Sequence, residues 1–339
     1  MTIEIVDPRS VPGWDGALAA SGDPSFFHTA GWASVLAEAY GYRPVYFLCR
    51  DRGAFALVWP CMEVRSRLTG TRGVSLPFTD SCPAFSRDEG LSREALERAL
   101  EFGRSEGWRY VEWRSGGLPA HASYLTHDIG LGQGEEELFR GLKEANRRSI
   151  RKALREGVSV TFDSSSGSLE VFYRLQCLTR RRHGLPPQPF RFFKKIHEHV
   201  LSKGQGIVAL SLHQGRPVAA AMFFMFGTQA IFKFGASDPA RQALRPSNAL
   251  MWESLRWLRS QGCTNLNLGR TEPEHLGLLR FKRAWGGTET VQTYRRYSFR
   301  KEAFLAGRPM TGPVSFKVLS RMPMPLLRMI GNLAYRHVG

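Results

Sequence analysis

Phe281-Lys282 is the pair of residues in this sequence best suited to chemistry on a carbonyl. A lysine ammonium set just past a strand end could polarise a carbonyl and stabilise a tetrahedral oxyanion. Spacing alone also allows a surface lysine next to a core phenylalanine. No Ser-His-Asp arrangement or reactive-cysteine pattern accompanies the pair, which suits direct transfer without a covalent enzyme intermediate. Cys49, Cys61, Cys82, Cys177 and Cys263 stand alone, with no C-x-x-C and an odd count. They argue for reduced thiols in a cytoplasm, and against a zinc site or a disulfide framework. His197 and His199 are too few and too isolated for a metal site, so no metal is expected.

The elements that must position the lysine run from Arg245 to Gly287. Pro246 opens a helix where a missing N–H costs nothing, Ser247 or Asn248 can cap it, and Met251, Leu255 and Leu258 share a face. Gly262 ends that helix. A strand follows from Cys263 to Leu268, with Leu266 and Leu268 on one side and Asn265 and Asn267 on the other. It runs out at Gly269-Arg270, and a second short helix carries Phe281-Lys282 up to the Gly286-Gly287 break. In open α/β sheets ligands gather at such strand ends, because helix N-termini point unpaired N–H groups there.

With 339 residues, 42% of them hydrophobic, the chain is long enough for two domains with real cores. A formal charge of +17 is not needed for folding and implies anionic company: nucleic acid, a phosphorylated carrier or an anionic membrane surface. The N-terminus shows no secretory signal, and the most apolar stretch, Val218 to Phe234, reads as two strands and a turn. Part of the charge is concentrated in one predicted helix that starts at Glu135-Glu136-Glu137 and ends at Gly157. At about 100° per residue its Leu138, Leu142, Ala145, Ser149 and Ala153 share one face. Arg140, Lys143, Arg147, Arg151 and Arg155 gather opposite, flanked by Arg148 and Lys152, as an anion-binding surface or a solvated face. Two further helices meet at a proline-stiffened corner, HGLPPQP. There Arg181, Arg182 and His183 either contact substrate or complement the helix dipole. The tail beyond Thr293 is again basic, including Arg308 and Lys317. Its Leu326, Leu327, Ile330, Leu333 and Ala334 line one side of a helix that either closes over a core or lies in a membrane interface.

The chain also repeats itself. A first strand from Thr2 to Val6 precedes a helix near Thr29 to Ala39, a hairpin around Arg50-Asp51-Arg52-Gly53, and a loop from Thr69 to Ser86. A helix from Leu91 to Glu106, Gly107, and a strand from Trp108 to Trp113 complete one α/β unit. When Gly107 is aligned with Gly262, Leu100 meets Leu255, Arg104 meets Arg259, Ser105 meets Ser260 and Phe102 meets Trp257. Together with the matching hairpin-helix-strand order, this supports a duplicated domain.

The run N-A-L-x-W … G … N-L-G-R … G-L-L-R-F-K-R-A-W-G resembles the second-domain signature of the FemAB family. These aminoacyltransferases build peptidoglycan cross-bridges and are related in fold to GNAT acyltransferases. The segment R-x-x-I-R-K-A-x-x-x-G-V-x-V is similar to the family's entry into its second domain. The resemblance implies an α/β (α+β) fold of two tandem GNAT-like domains with mixed central sheets flanked by helices. The first would span 1–131, completed by 297–339, and the second 132–296, with 312–339 as a basic amphipathic tail. It implies catalytic roles for Lys282 and Phe281, and substrate contacts at Arg147, Arg148, Arg151, Arg181, Arg182, Asn248, Arg270 and Asp80. The expected reaction moves an activated (amino)acyl group onto an amine of a cell-wall or polysaccharide precursor. No cofactor is bound tightly, and the donor co-substrate is aminoacyl-tRNA or acyl-CoA. The acceptor side would be an anionic nucleotide-linked or lipid-linked precursor, met in the cytoplasm or at the inner face of the cytoplasmic membrane.

Two departures qualify that resemblance. Between Ala145 and Val158 there is no room for the long inserted coiled coil that the family links with tRNA contact. The chain is thus more similar to the shorter FemAB-related proteins of exopolysaccharide and PEP-CTERM protein-sorting systems. A GNAT-type acyl-CoA N-acyltransferase is the alternative, but the stretch Ala240 to Ser247 lacks the glycines of the usual CoA pyrophosphate turn. A non-enzymatic RNA-binding protein would rest on charge alone, with no RNA-binding module visible.

Overall fold

The computed structural model describes residues 2–22, 24–86, 88–114, 119–307 and 317–338. Arg308 and the side chain of Lys317 lie outside the described residues. The chain divides into two compact units, one made of Met1–Tyr124, Val291–Met310 and Leu333–Gly339, the other of Leu125–Thr290 and Thr311–Asn332. Residues 125–131 therefore sit with the second unit and 291–296 with the first, and the tail is shared between them.

The first unit begins with β1 (Ile3–Val6), α1 (Trp14–Ala20) and α2 (Ala30–Tyr40). Then come β2 (Arg43–Pro44), β3 (Tyr46–Asp51), β4 (Ala54–Trp59), β5 (Met62–Val64), β6 (Arg72–Val74) and β7 (Phe85–Ser86). The stretch expected to be one loop from Thr69 to Ser86 thus holds two strands. At two and three residues they are too short for a period-2 pattern to show. Helix α3 (Glu89–Ser105) and strand β8 (Tyr110–Trp113) follow. Asp88 caps α3 by accepting from Gly90 and Leu91 N–H, and Ala95, Ala99 and Gly103 form its buried face.

The second unit takes most of β9 (Ala122–Gly130), then α4 (Glu135–Gly141), α5 (Glu144–Arg155), β10 (Val158–Asp163), α6 (Ser166–Arg182) and α7 (Phe190–His199). It continues with β11 (Gly206–His213), β12 (Arg216–Phe226), β13 (Gln229–Ser237), α8 (Pro246–Ser260), β14 (Asn265–Asn267) and α9 (Leu276–Arg283). The chain ends with β15 (Thr288–Ser298), β16 (Ala303–Phe304), α10 (Lys317–Arg321) and α11 (Met324–Val338). Among the described residues no helix is long and apolar enough to cross a membrane.

In the second unit the strand order is β10-β11-β12-β13-β14-β9, antiparallel except for the parallel β13–β14 pair. In the first unit β15-β8-β6-β5-β2 form a mixed run with β8 parallel to β6, and β1-β3-β4-β7 form a separate antiparallel group. The two helix–strand joints match bond for bond. Trp108 N–H donates to Gly103 and Gly107 N–H to Arg104, while Cys263 N–H donates to Leu258 and Gly262 N–H to Arg259. Both glycines are left-handed, at φ 67° and 82°. Each following strand then has one parallel neighbour and one antiparallel neighbour, β6 and β15 for β8, β13 and β9 for β14.

The basic segment differs from its expected form. It is two helices, because Leu142 and Lys143 are extended, with ψ near 143° and 144°. Leu142 is buried in the core, and Lys143 N–H donates to Ala284 O, so tertiary contacts override a locally helical sequence. The break resets the helical phase. Asn146, Ile150 and Ala153 form the buried face of α5, whereas Ala145, expected inside, is exposed.

Candidate active site

Strand β14 carries out the alternation read from the sequence. Leu266 and Leu268 are buried in the core, and the two asparagines face a polar cluster. Asn265 and Asn267 both donate to Asp128 Oδ1, at 3.1 and 2.9 Å, and Asn267 also donates to Thr126 Oγ1 at 2.9 Å. Asn267 Oδ1 in turn accepts from Gly269 N–H at 2.8 Å. That bond fixes the turn at the strand end, where Gly269 is left-handed at φ 71°.

Lys282 reaches this turn from the last turn of α9. It is 3% exposed, and its Nζ donates to Gly269 O at 2.6 Å and to Arg270 O at 3.2 Å. An ammonium donates through its N–H groups and accepts nothing, and these two carbonyls orient it. The surface-lysine reading is therefore excluded. Phe281 is half-buried and packs edge-on against Trp285, with ring centroids 5.9 Å apart. Arg270 is also half-buried and contributes its carbonyl.

Beside Lys282, Arg283 makes a two-pronged pair with Glu289, at 2.6 and 2.8 Å. The Nε2 atom of the fully buried His127 lies 2.8 Å from Glu289 Oε2. Burial holds the His127 imidazole below its ordinary pKa against the pull of Glu289, and Lys282 and Arg283 push the same way as burial. The chain at Gly286-Gly287 comes in unusually close. A Cβ on Gly287 would lie 2.7 Å from Asp128 O, and one on Gly286 would lie 2.7 Å from Gly141 O.

Two helix N-termini meet at this same C-terminal end of α9, at its cap residue Ala284. Asn248, in the first turn of α8, donates to Asn146 Oδ1 at 3.1 Å, and Asn146, in the first turn of α5, donates to Ala284 O at 3.0 Å. Asn248 thus ties two helices together and does not cap α8. Nor does Ser247: the cap position is Arg245, left-handed at φ 56°, with no side-chain cap bond. Helix α5 lacks a side-chain cap as well. Paired N-terminal dipole ends favour an anion.

The basic residues separate by environment. Arg147 pairs with Glu144 at 2.6 Å, Arg151 lies 4.0 Å from Glu144 and over the Phe139 ring, and Arg148 is exposed with no partner among the described residues. Arg181 and Arg182 end α6, with Arg182 3.4 Å from His183. Burial, then Arg182, His275 and Arg180, hold His183 below its usual value. Asp80 belongs to the first unit, where its carbonyl accepts from Tyr294 OH. Asn146, His127, Asp128 and Glu289 were not singled out from the sequence, since each acts through a partner far along the chain.

Residues 141–283 match the acetyltransferase (GNAT) domain family. The fold is that of a solved structure titled FemX, with a TM-score of 0.72 at 14% identity over 89% of this chain and 98% of that one. The lipid II:glycine glycyltransferase of Staphylococcus epidermidis is 20% identical over 83% of this chain and 82% of its own. The chain is a GNAT-fold acyltransferase related to FemX/FemAB-type glycyltransferases. It is an enzyme of the transferase class, with a GNAT-like α/β fold of mixed sheet flanked by helices. A tandem GNAT protein from the clavulanic acid biosynthesis pathway also superposes, with a TM-score of 0.55 at 12% identity over 88% of this chain and 98% of that one. Two tandem domains are consistent with that likeness.

Proposed function

We propose that this acyltransferase moves an activated aminoacyl or acyl group onto an amine of a cell-wall or polysaccharide precursor, with Lys282 at the transfer centre. The observation that carries this reading is the buried Lys282 ammonium, aimed by the Gly269 and Arg270 carbonyls at the end of β14. The acceptor nitrogen attacks the donor carbonyl, a C–N bond forms, and the C–O bond of an ester or C–S bond of a thioester breaks. The attacking amine's proton leaves through substrate or water. Lys282 steadies the oxygen that becomes negative between these events, turning an N–H toward it when substrate binds. Phe281 and Trp285 keep water from that side.

Arg147, Arg148 and Arg151, with Arg181 and Arg182, would hold the anionic part of a tRNA, nucleotide-linked or lipid-linked substrate. Asn248, Arg270 and Asp80 are further substrate contacts in this reading. A lipid-linked acceptor places the enzyme at the inner face of the cytoplasmic membrane, with the basic tail as a peripheral contact. This suits the short FemAB-related proteins of polysaccharide and protein-sorting systems.

Acyl-CoA as donor is disfavoured at the start of α8, where Arg245 occupies the left-handed turn position and Ala240–Ser247 offers no glycine. The test is transfer of label from glycyl-tRNA, and separately from acetyl-CoA, to amine acceptors. Transfer from either supports the function and names the donor. Transfer from neither, with a panel of aminoacyl-tRNAs and acyl thioesters, sinks it.

A further inference from the structure

In the first unit, the loop after β5 and the end of α11 enclose a notch of about 640 Å³ lined by Arg65, Ser66, Arg67, Thr71, Arg336 and His337. The notch is held together from behind. The buried Arg72 donates to Thr69 Oγ1 at 2.7 Å and to His337 O at 2.8 Å, Thr69 Oγ1 donates to the same carbonyl, and Ser66 Oγ lies 2.9 Å from His337 Nδ1. Arg65 is neutralised by Glu63 and Glu106. Arg67 and Arg336 are exposed and have no carboxylate partner among the described residues. Two uncompensated guanidiniums lining one cavity, with Thr71 beside them, suit a phosphate group.

The same loop and helix end also expose aliphatic side chains. Leu68 is 76% exposed, Leu333 65% and Val338 66%. Leu68 follows Arg67 directly, and Leu333 precedes Arg336 by three positions, on neighbouring helix surface. A soluble phosphate would gain nothing from these side chains. A single-stranded nucleic acid would be met by aromatic rings on which bases stack, and the exposed residues here are aliphatic. An anionic bilayer uses both features, since basic groups take the phosphates and aliphatic groups enter the acyl boundary.

We propose that this notch is a headgroup site for anionic phospholipid, and that Leu68, Leu333 and Val338 seat the first unit in the interface of a bilayer. The proposal deepens the membrane contact suggested above and rests on it. It does not rest on the transfer chemistry, because binding to vesicles needs no turnover.

The experiment is co-sedimentation of the full chain with phosphatidylcholine vesicles and with mixed phosphatidylcholine/phosphatidylglycerol vesicles. The parent should bind the mixed vesicles, lose binding as salt rises, and ignore phosphatidylcholine alone. Arg67→Gln with Arg336→Gln should weaken partitioning by about 25-fold, at roughly fivefold for each arginine. Leu68→Ser with Leu333→Ser leaves the charge intact and should weaken it by about tenfold or more. Lys282→Met should bind vesicles as the parent does, so a failed transfer mechanism and a failed membrane site read out separately. Equal binding to both vesicle types, or no effect of either double variant, overturns the site. So does release by inorganic phosphate at an ionic strength where chloride releases nothing, which would make the notch a soluble-phosphate pocket. Loss of tRNA binding in the arginine variant with vesicle binding unchanged would assign the surface to nucleic acid instead.

Discussion

The carbonyls of Gly269 and Arg270 both depend on the Lys282 ammonium, so this residue would hold a strand end as well as stabilise an oxyanion. Lys282→Met removes both bonds in a buried place. It should lower stability by about 1–3 kcal/mol, read as a fall in melting temperature. The catalytic prediction must therefore be measured well below that transition, with circular dichroism confirming a folded variant. There, turnover should drop by about a hundredfold to a thousandfold while KM stays close to the parent's, as for the loss of one oxyanion donor. Lys282→Arg should rescue poorly, since a planar fork does not replace a compact ammonium in a closed site. A folded Lys282→Met with kcat within a few-fold of the parent would leave only the structural clasp. The pair was visible in the sequence because it sits next to a glycine break and after an alternating strand. The residues that aim it were not. The Gly269 and Arg270 carbonyls meet Lys282 only through the fold, as Asn146 meets Asn248 and Ala284 at the same helix end.

The close backbone approaches at Gly286 and Gly287 act on whole elements. Asp128 O would be 2.7 Å from a Cβ at Gly287, and Asp128 is the residue that both β14 asparagines grip. Gly287→Ala must therefore push β9 or the start of β15 aside, and the shift passes through Asn267 to Gly269. The expected cost is about 1–3 kcal/mol, read as an earlier denaturant midpoint, with a loss of kcat although no substrate group has been touched. An unchanged midpoint would show that β15 can slide without strain. Element scale is also where the sequence was most and least informative. Helix α8 was plain, since Met251, Leu255 and Leu258 are all buried and Pro246 opens it. The break between α4 and α5 was hidden. Nothing local in Leu142-Lys143 forbids helix, and only burial of Leu142 and the bond from Lys143 to Ala284 impose it. The duplicated joint was legible because it repeats a cap, Arg-Ser-x-Gly, whose hydrogen bonds are local.

At the scale of the molecule, charge sets how the chain responds to pH and salt. His28 is buried, with its ring nitrogens near Ser25 and the Pro83 carbonyl, and burial pushes its pKa from 6.5 down to about 4. A lowered folded-state value means the unfolded chain binds the proton more readily, so this stability is complete above pH 6.5 and is lost as pH falls toward 4. The loss should reach about 3 kcal/mol by pH 4, and His28→Gln should flatten that part of the unfolding profile. The +17 charge acts through salt. If the face of α5 holds an anionic substrate, Arg148 contributes most cleanly, because Arg147 is already paired with Glu144 and Arg151 is partly so. Changing Arg147, Arg148 and Arg151 together to Glu should weaken binding of tRNA or another polyanion steeply. It should also reduce the slope of log affinity against log salt by roughly two to three units, the share of three phosphate contacts. Arg148→Glu alone should account for about one unit of that change, while Arg147→Glu should also destabilise α5 by placing two carboxylates together in its first turn. The measurement is a filter-binding titration across a salt series, made on variants whose helical signal matches the parent's. An unchanged slope in the triple variant would make this arc of arginines a solvated helix face and move the search for the anionic substrate to Arg181 and Arg182 at the end of α6.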